Sequence, residues 1–355
     1  MSPGSGPADL AVVGAGVIGL ATAHAAAERG ARVVVVERDR PGGAQSAGPG
    51  RIFRHAHETI ELVALAARAR QAWRAAEERL GIPLLGAEGA LLVGDPGPHA
   101  QRLAAAGVEH EVLDGAGVLA AMPALGPWPA AGLLDPGGGA IDAEGYLGAL
   151  ATKLAGSIVA GRLHAIRRDG EGLRLAGDSG ELDAGRVLVA AGAGAPALAQ
   201  GLGLTLPVAL SVHHRVAFAP VRAGRGPGWP CLLERSELMG PRCYGLALPD
   251  GSYAIGVGAF DDLPEAESVA RTAAHVARAF PGIGTEPSAV VRCEPTTLAG
   301  HPEHFGLYAT DLPGAAVFCG GNLFKFAAIL GPLLAEAMLE GRYDPVLEPP
   351  GAPAS

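Results

Sequence analysis

The chain has 355 residues, of which 49% are hydrophobic and 18% charged, and its formal net charge at pH 7 is −9. A chain of this length and composition can bury a large core, and we expect two packed domains. The negative charge and the lack of a basic stripe argue against nucleic-acid binding, and no apolar run reaches the roughly 20 residues of a membrane helix. We therefore predict a soluble protein with neither nucleic-acid nor membrane partners.

The cysteines and the N-terminus bear on the compartment. Met1 to Pro7 lacks the charged start and the apolar centre of a signal peptide, which predicts a cytoplasmic protein. The cysteines show neither paired metal-ligand spacing nor a small disulfide framework, so we predict free thiols. They are Cys231, Cys243, Cys293 and Cys319.

The stretch from Asp9 to Glu37 has the pattern of a dinucleotide-binding βαβ unit. An apolar run up to Val13 predicts a buried strand, the glycines after it predict a tight turn, and Gly19 to Arg29 predicts a helix. A second apolar run, Val33 to Glu37, predicts the next strand. Strand, turn, helix and second strand follow one another in the order that a nucleotide fold requires.

Each glycine of the turn has a predicted role. Gly14 permits the sharp turn, Gly16 leaves room for a pyrophosphate against the backbone, and Gly19 lets the helix pack closely on the strand. The first N–H groups of the helix, at Val17 and Ile18, have no partners within it and are predicted to bind the phosphates.

Glu37 ends the second strand at the spacing of an acid that accepts a hydrogen bond from a ribose hydroxyl. A carboxylate there would repel a ribose phosphate, which favours FAD or NAD over NADP. The Gly-, Pro- and Ser-rich loop from Arg38 to Gly50 is predicted to lie across the cofactor, so Arg38 is also a candidate cofactor-binding residue.

Later apolar runs mark two returns of the chain to the nucleotide-binding sheet. The strand 186–190 runs into Gly192, and a later strand ends in Gly320, Gly321 and Asn322. We predict that these four residues contact the cofactor. Further predicted elements are helices at 59–80, 143–154 and 324–339, and strands at 90–93, 216–218 and 253–257.

Four segments together resemble a known enzyme family. They are the glycine-rich start, the segment Arg-Ile-Phe-Arg-His from Arg51, the Glu-His-Phe that follows Cys293, and the Phe-Lys-Phe around Lys325. This combination resembles the monomeric sarcosine oxidase and N-methyltryptophan oxidase family, FAD-dependent amine oxidases of the wider D-amino-acid oxidase superfamily. The resemblance spans nearly the whole chain.

The resemblance implies an α/β fold with a Rossmann-like FAD-binding domain and an antiparallel β-rich substrate domain. We assign 1–85, 136–205 and 293–342 to the FAD-binding domain. Residues 86–135 and 206–292 are assigned to the substrate domain, and 343–355 to a frayed tail.

The resemblance also implies roles for individual side chains. Arg51 matches an arginine that lies over the flavin ring, Arg54 and Lys325 match residues that bind the substrate carboxylate, and Cys293 matches a cysteine joined to the flavin by a thioether. Lys325 is also predicted to contact the cofactor. Structural interpretations stay open: the arginines could be a surface pair or contact only the pyrophosphate, Cys293 could be a core thiol, and Lys325 a snorkelling side chain.

The chain departs from the family at three positions of the site. Ala254 stands where the family has a lysine that promotes the reaction of the reduced flavin with oxygen, Gly258 where it has an active-site histidine, and Asn322 where it has the histidine of the late glycine motif. The oxygen reaction would then need another cation, for which His213 and His214 are candidates. Gly258 and Asn322, each in place of a histidine, also predict a substrate pocket that is larger near the flavin than in enzymes for sarcosine.

No metal site is predicted. His55 and His57 are expected on one face of a strand, and His301 and His304 in a loop, but neither pair has converging carboxylate or thiolate ligands. Ser46 has no nucleophile-elbow context, which excludes covalent hydrolase chemistry there.

We therefore predict FAD-dependent oxidation of a carboxylate-bearing secondary, N-methyl or cyclic amino acid to its imine, by hydride transfer to the flavin. Oxygen is the predicted acceptor, giving hydrogen peroxide, and the protein is predicted to be a monomer. One alternative, favoured by Ala254, is a flavin dehydrogenase for an amino or 2-hydroxy acid with another acceptor. A second is a non-catalytic flavin-binding subunit, which the presence of Arg54 and Lys325 disfavours.

Overall fold

The computed structural model of the chain describes residues 6–126, 130–220 and 228–351. Of the tail predicted at Met1 to Pro7, residues 1–5 lie outside this part. No helix within the three ranges is both long and apolar enough to cross a membrane.

The helices and strands are numbered separately in chain order. The α-helices are α1 (Val17–Glu28), α2 (Ile60–Leu80), α3 (Gly97–Ala105), α4 (Gly115–Ala121), α5 (Ala143–Lys153), α6 (Ala195–Gln200), α7 (Glu265–Ala279) and α8 (Leu323–Glu340). The strands are β1 (Ala8–Val13), β2 (Val33–Glu37), β3 (Gly50–Phe53), β4 (Ala90–Val93), β5 (Glu111–Leu113), β6 (Gly132–Asp135), β7 (Gly139–Asp142), β8 (Ile158–Ala160), β9 (Leu163–Asp169), β10 (Gly172–Gly177), β11 (Gly180–Val189), β12 (Val208–Leu210), β13 (His213–Pro220), β14 (Cys231–Glu234), β15 (Cys243–Ala247), β16 (Tyr253–Val257), β17 (Ile283–Cys293), β18 (Thr296–Leu298), β19 (Phe305–Ala309) and β20 (Ala315–Gly320).

The chain divides into two compact units that differ in their bounds from the predicted domains. Unit 1 comprises Met1–Ala47, Gly145–Leu210 and Glu294–Ser355, and unit 2 comprises Gly48–Glu144 and Ser211–Cys293. The sequence analysis places residues 48–85 and 136–144 in the FAD-binding domain, whereas here they belong to unit 2. The pairing of β3 with β7 explains this difference, since it joins both segments within one unit.

Unit 1 contains a mostly parallel sheet, in the order β19-β20-β11-β1-β2-β8. Neighbouring strands from β20 to β8 run parallel, and β19 is an antiparallel edge strand. Strands β1 and β2 lie inside this sheet. Their sequences are apolar throughout because helices cover both faces of such sheets. This arrangement confirms the Rossmann-like part of the predicted fold class.

Two helices of unit 1 pack closely because small residues meet between them. A Cβ added to Gly331 of α8 would lie 2.7 Å from the backbone of Ala21 in α1. The close approach packs the last helix against the helix that follows the glycine turn.

Unit 2 contains a largely antiparallel sheet, in the order β17-β13-β16-β15-β14-β4-β6-β5. Only β14 and β4 pair in parallel among these described strands. The arrangement confirms the predicted antiparallel β-rich domain. Helix α2 starts where the sequence predicts: the Thr59 hydroxyl accepts a hydrogen bond from the Leu62 amide at 3.3 Å, and Trp73 is fully buried.

The structure corrects the strand predicted for His55 and His57. Strand β3 ends at Phe53, and the Asp135 carboxylate then accepts a hydrogen bond from the His55 amide at 2.6 Å. This side-chain contact replaces the strand pairing, so the two histidines do not share a strand face.

The structure also differs from the predicted frayed tail. Residues Pro345 to Leu347 form a short 3-10 turn. The Val346 amide at its start donates a hydrogen bond to the Asp344 carboxylate. Leu347 is only 2% exposed, and burial of this side chain holds the segment in place.

Candidate functional site

The predicted nucleotide-binding residues of unit 1 gather at one edge of its sheet. The parallel strands β1, β2, β11 and β20 all end at this edge, and Gly14, Glu37, Gly192 and Gly320 lie at or just beyond their last residues. Ligands of open α/β sheets bind outside the carboxyl ends of the strands.

The glycine turn is closed only because its residues lack side chains. Gly14 has a φ of +103°, and a Cβ there would lie 2.6 Å from the carbonyl oxygen of Ala190. A Cβ on Gly19 would overlap the carbonyl oxygen of Gly14. The structure therefore gives Gly14 and Gly19 the turn and packing geometry that the sequence predicts for them.

The start of α1 offers donors to an anion. Gly16 is its N-cap residue and makes no side-chain cap bond, and the first turn carries no acid. The Val17 amide, which the sequence predicts to bind a phosphate, donates to the hydroxyl of Ser46 at 3.0 Å, so a phosphate would have to share or replace this bond. Backbone N–H groups and the helix dipole favour a phosphate here, and Ser46 adds a buried hydroxyl that the sequence analysis missed because it lies 29 residues away.

Glu37 faces the same turn. Its carboxylate accepts hydrogen bonds from the Ala15 amide at 2.7 Å and from the Asp39 amide at 2.9 Å. Each carboxylate oxygen keeps a further lone pair, so Glu37 can also accept from a ribose hydroxyl. Arg38 is exposed, and its Nε donates to Asp39 at 3.1 Å.

The later glycines have packing roles at the same edge. Gly192 has a φ of +52°, in the left-handed region that glycine adopts most easily. Cβ atoms on Gly320 and Gly321 would overlap Phe305 and Pro302. Asn322, with a φ of +56°, precedes α8 without capping it through its side chain.

Lys325 lies in the first turn of α8 and is 8% exposed, between the buried Phe324 and Phe326. A cation is disfavoured both by this burial and by the positive end of the helix dipole. The position is therefore costly for a lysine that has only a packing role. Together with the glycine turn and Glu37, the residues of unit 1 fit a dinucleotide with an adenosine ribose and a pyrophosphate.

In unit 2, two arginines converge on one backbone oxygen. Arg51 Nη1 donates to the carbonyl oxygen of Gly50 at 2.9 Å, and Arg215 Nη1 donates to the same oxygen at 2.7 Å. Burial and, next, the charge of Arg215 lower the pKa of Arg51 to about 9, against the opposing effects of Cys293 and Tyr244. Arg51 therefore stays mostly protonated at neutral pH.

Cys293 completes this cluster at the end of β17. Its sulfur lies 3.6 Å from Arg215 Nη2. Cys293 is partly exposed, whereas Cys231, Cys243 and Cys319 are buried. Burial raises the pKa of all three, to about 12 for Cys319. Cys293 is therefore the accessible thiol of the chain.

Tyr244 lies in the same row across the sheet. Tyr244 and Arg215 both pair with Gly256 on β16, and a Cβ on Gly256 would overlap the Tyr244 ring. Burial raises the pKa of Tyr244 to about 12. The sequence analysis missed both Arg215 and Tyr244, although an arginine inside the apolar strand 213–220 is a usable signal.

The positions that depart from the family lie in the same sheet. Ala254 is buried in an apolar cluster with Ala217 and Leu246, two residue pairs along the register from Arg215 and on the same face of the sheet. A Cβ on Gly258 would lie 3.8 Å from the Asp261 carboxylate.

The pKa of the Asp261 carboxyl group, beside Gly258, is shifted. Burial and the neighbouring Asp262 raise the pKa of Asp261 to about 7. Its nearest basic group is His213, with Nε2 3.2 Å from the carboxylate. Burial lowers the pKa of His213, so this histidine is largely neutral at pH 7 and contributes little positive charge.

Arg54 directly follows β3 and is 5% exposed. The next residue, His55, is held by Asp135, whose carboxylate lies 2.9 Å from His55 Nδ1. This contact fixes the backbone that carries Arg54. No group of three metal-ligating side chains occurs among residues 6–126, 130–220 and 228–351.

Comparison with known proteins agrees with this architecture. A curated relative is the monomeric sarcosine oxidase of Streptomyces avermitilis, 26% identical, with 94% of each chain covered. Among solved structures, the open form of NikD, an unusual amino acid oxidase essential for nikkomycin biosynthesis, has a TM-score of 0.85 at 24% identity over 99% of each chain. Glycine oxidase from Geobacillus kaustophilus has a TM-score of 0.81 at 22% identity over 96% of each chain.

The match to a family model is the most direct statement of relationship. The model for FAD dependent oxidoreductases matches residues 9–337, which include the glycine turn, the arginine segment and most of the last helix. The chain belongs to this DAO family of FAD-dependent oxidoreductases.

Proposed function

We propose that the protein oxidises a small amino acid, with a secondary, N-methyl or cyclic amine, to the corresponding imine. The observation that carries the proposal is the burial of Arg54 directly after β3, which provides a guanidinium withdrawn from water for a substrate carboxylate. The relatives are named as oxidases of sarcosine, glycine or another amino acid, which supports an amino acid as substrate.

FAD, when bound, supplies the acceptor for the hydride from the carbon next to nitrogen. The protein's own residues provide binding and orientation. We assign binding of the phosphates to the start of α1 and binding of the ribose to Glu37. Arg51 is assigned to the flavin ring, beside which it would place its positive charge. Gly192, Gly320, Gly321 and Asn322 are assigned to the cofactor by their position at the strand ends, and Arg38 by the loop that it starts.

The substrate carboxylate is assigned to Arg54 and Lys325. Arg54 presents a planar fork that can bind a carboxylate through two parallel hydrogen bonds, and Lys325 adds a point charge. Fixing the carboxylate fixes the direction of the reacting C–H bond, and such orientation lowers the barrier without a dedicated base.

Substitution of the carboxylate-binding residues tests this assignment. We expect Arg54→Met and Lys325→Met to raise KM for carboxylate substrates by about tenfold or more, since each removes a charge-assisted hydrogen bond. The spectrum of the bound flavin should stay nearly unchanged. Arg292→Met, at an exposed position of β17, is the control. An unchanged KM would remove the substituted residue from the site.

We further propose a thioether between Cys293 and the flavin. Its support is that Cys293 is the accessible thiol of the chain. Acid denaturation tests the bond: the yellow colour should stay with the polypeptide in the wild type and leave it in Cys293→Ser. Cys319→Ser, at a buried thiol, serves as the control, and release of free FAD from the wild type would contradict the proposal.

Oxygen is the proposed acceptor, in a monomeric enzyme. A dehydrogenase that uses another acceptor is the second candidate, because Ala254 places no charge in its apolar cluster. Turnover measured with oxygen and with an artificial dye separates the two. Reoxidation by dye alone would establish the dehydrogenase.

A further inference from the structure

The two arginines of unit 2 form an unusual pair. Arg51 and Arg215 donate to one carbonyl oxygen, that of Gly50, so their guanidinium groups lie side by side. Arg215 is only 7% exposed. Two neighbouring positive charges that are withdrawn from water repel each other, and burial and, next, this repulsion lower the pKa of Arg51.

Arg215 has no carboxylate to offset its charge among the residues that the structure describes. Its hydrogen-bond partners are the Gly50 carbonyl and the Cys293 sulfur. Both accept a hydrogen bond from Arg215, but neither is a carboxylate. A buried cation of this kind is costly unless an anion binds beside it.

The placement of Arg215 is determined by the strand register. Arg215 pairs with Gly256 of β16 on one side and with Val291 of β17 on the other. The missing side chain of Gly256 leaves this row to Tyr244 and Arg215, while the next row on the same face of the sheet, at Ala254 and Ala217, is apolar. The positive charge is therefore confined to one row, beside Arg51.

We propose that Arg215 is a second cationic residue of the active site, which acts with Arg51 on the negative charge that the cofactor gains on reduction. The inference rests on the proposed function, which assigns Arg51 to the flavin ring. A hydride carries two electrons and one proton, so its transfer leaves the substrate one unit more positive and the flavin one unit more negative. A pair of fixed cations stabilises that negative charge without reorganisation.

The midpoint potential of the bound FAD measures this effect without substrate or turnover. Arg215→Met should disfavour reduction at least tenfold, which is about 30 mV for a two-electron couple. Arg215→Lys, which keeps the charge but loses the fork, should differ from the wild type by less than threefold. Arg292→Met, the exposed control on β17, should leave the potential unchanged.

A purely structural role for Arg215 predicts a different pattern. If Arg215 only holds Gly50 and Cys293 in place, Arg215→Lys would shift the potential as much as Arg215→Met. That result, or an unchanged potential in Arg215→Met, would overturn the inference. For a variant that binds FAD weakly, the dissociation constants of oxidised and reduced FAD give the same ratio by linkage.

The outcome is separable from that of the proposed function. A potential shift in Arg215→Met supports the inference even if no tested amino acid is oxidised. Oxidation of an amino acid with an unchanged potential would support the proposed function and reject Arg215.

Discussion

The two units build their candidate sites in opposite ways. In unit 1 the candidate pyrophosphate and ribose site consists mostly of backbone: the turn at Gly14 and the amides that start α1, with the Glu37 side chain, all within one short stretch of chain. In unit 2 it consists of side chains from separate strands, with Arg51, Arg215, Tyr244 and Cys293 brought together by sheet register. Backbone sites can thus be found from local spacing, whereas side-chain clusters depend on long-range pairing.

Addition of a single methyl group should impair the glycine turn of unit 1 more than it impairs the side-chain cluster of unit 2. A Cβ in Gly19→Ala would overlap the Gly14 carbonyl, so we expect FAD affinity to fall by about 100-fold or more as the turn opens. Titration of flavin-free protein with FAD, in a Cys293→Ser background in which no thioether can form, gives the affinity. Gly148→Ala, in α5 with no atom within 4 Å of its Cβ, is the control and should bind FAD normally. Normal binding by Gly19→Ala would refute this account of the turn.

In the side-chain cluster of unit 2, Cys293 should react faster than the other cysteines of the chain. In the FAD-free native protein we expect an alkylating reagent to modify Cys293 at least about tenfold faster than the other cysteines, because those are buried as neutral thiols. Mass spectrometry of the peptides identifies the modified residue. Modification of Cys319 at the same rate would contradict the burial on which the prediction rests.

A pH titration tests the charge of the arginine pair. Since the pKa of Arg51 is about 9, its charge is present below that pH and lost above it. The groups that face it are Arg215, Tyr244 and Cys293, and Tyr244, with a pKa of about 12, stays neutral in this range. The gap in FAD midpoint potential between the wild type and Arg51→Met should therefore close as the pH rises through 9. A gap that persists at pH 10.5 would show that Arg51 keeps its proton.

The smallest expected effect concerns Asp261. Its pKa is raised in the folded protein to about 7, so folding is penalised once the carboxyl must ionise. The penalty is absent below the unfolded value, grows as the pH rises and is complete above pH 7. Asp261→Asn should therefore raise Tm by about 1–2 °C at pH 8 and by less at pH 4, as thermal melts would show. An equal gain at both pH values would indicate a cause other than ionisation.

Sequence alone predicts the parts of the fold that depend on neighbouring residues. The strand at Ala90–Val93, the bounds of α2 and the βαβ unit agree with the structure to within a few residues. The pairing of β3 with β7 and the contact of Arg215 with Gly50 could not be predicted, since both depend on partners more than 80 residues away. His55 shows the same limit, because Asp135 lies 80 residues further on.

The segmentation of the units has a consequence for synthesis on the ribosome. The last segment of unit 1 begins at Glu294, after all of unit 2 has been made. Strand β20 pairs with β11, and α8 packs on α1, so neither partner is available while the first 293 residues emerge. At 5–20 residues per second, the N-terminal strand and helix wait for roughly 15–60 s, with apolar surface open to chaperones. The first segment of unit 1 is therefore translated before unit 2, and its last segment after unit 2.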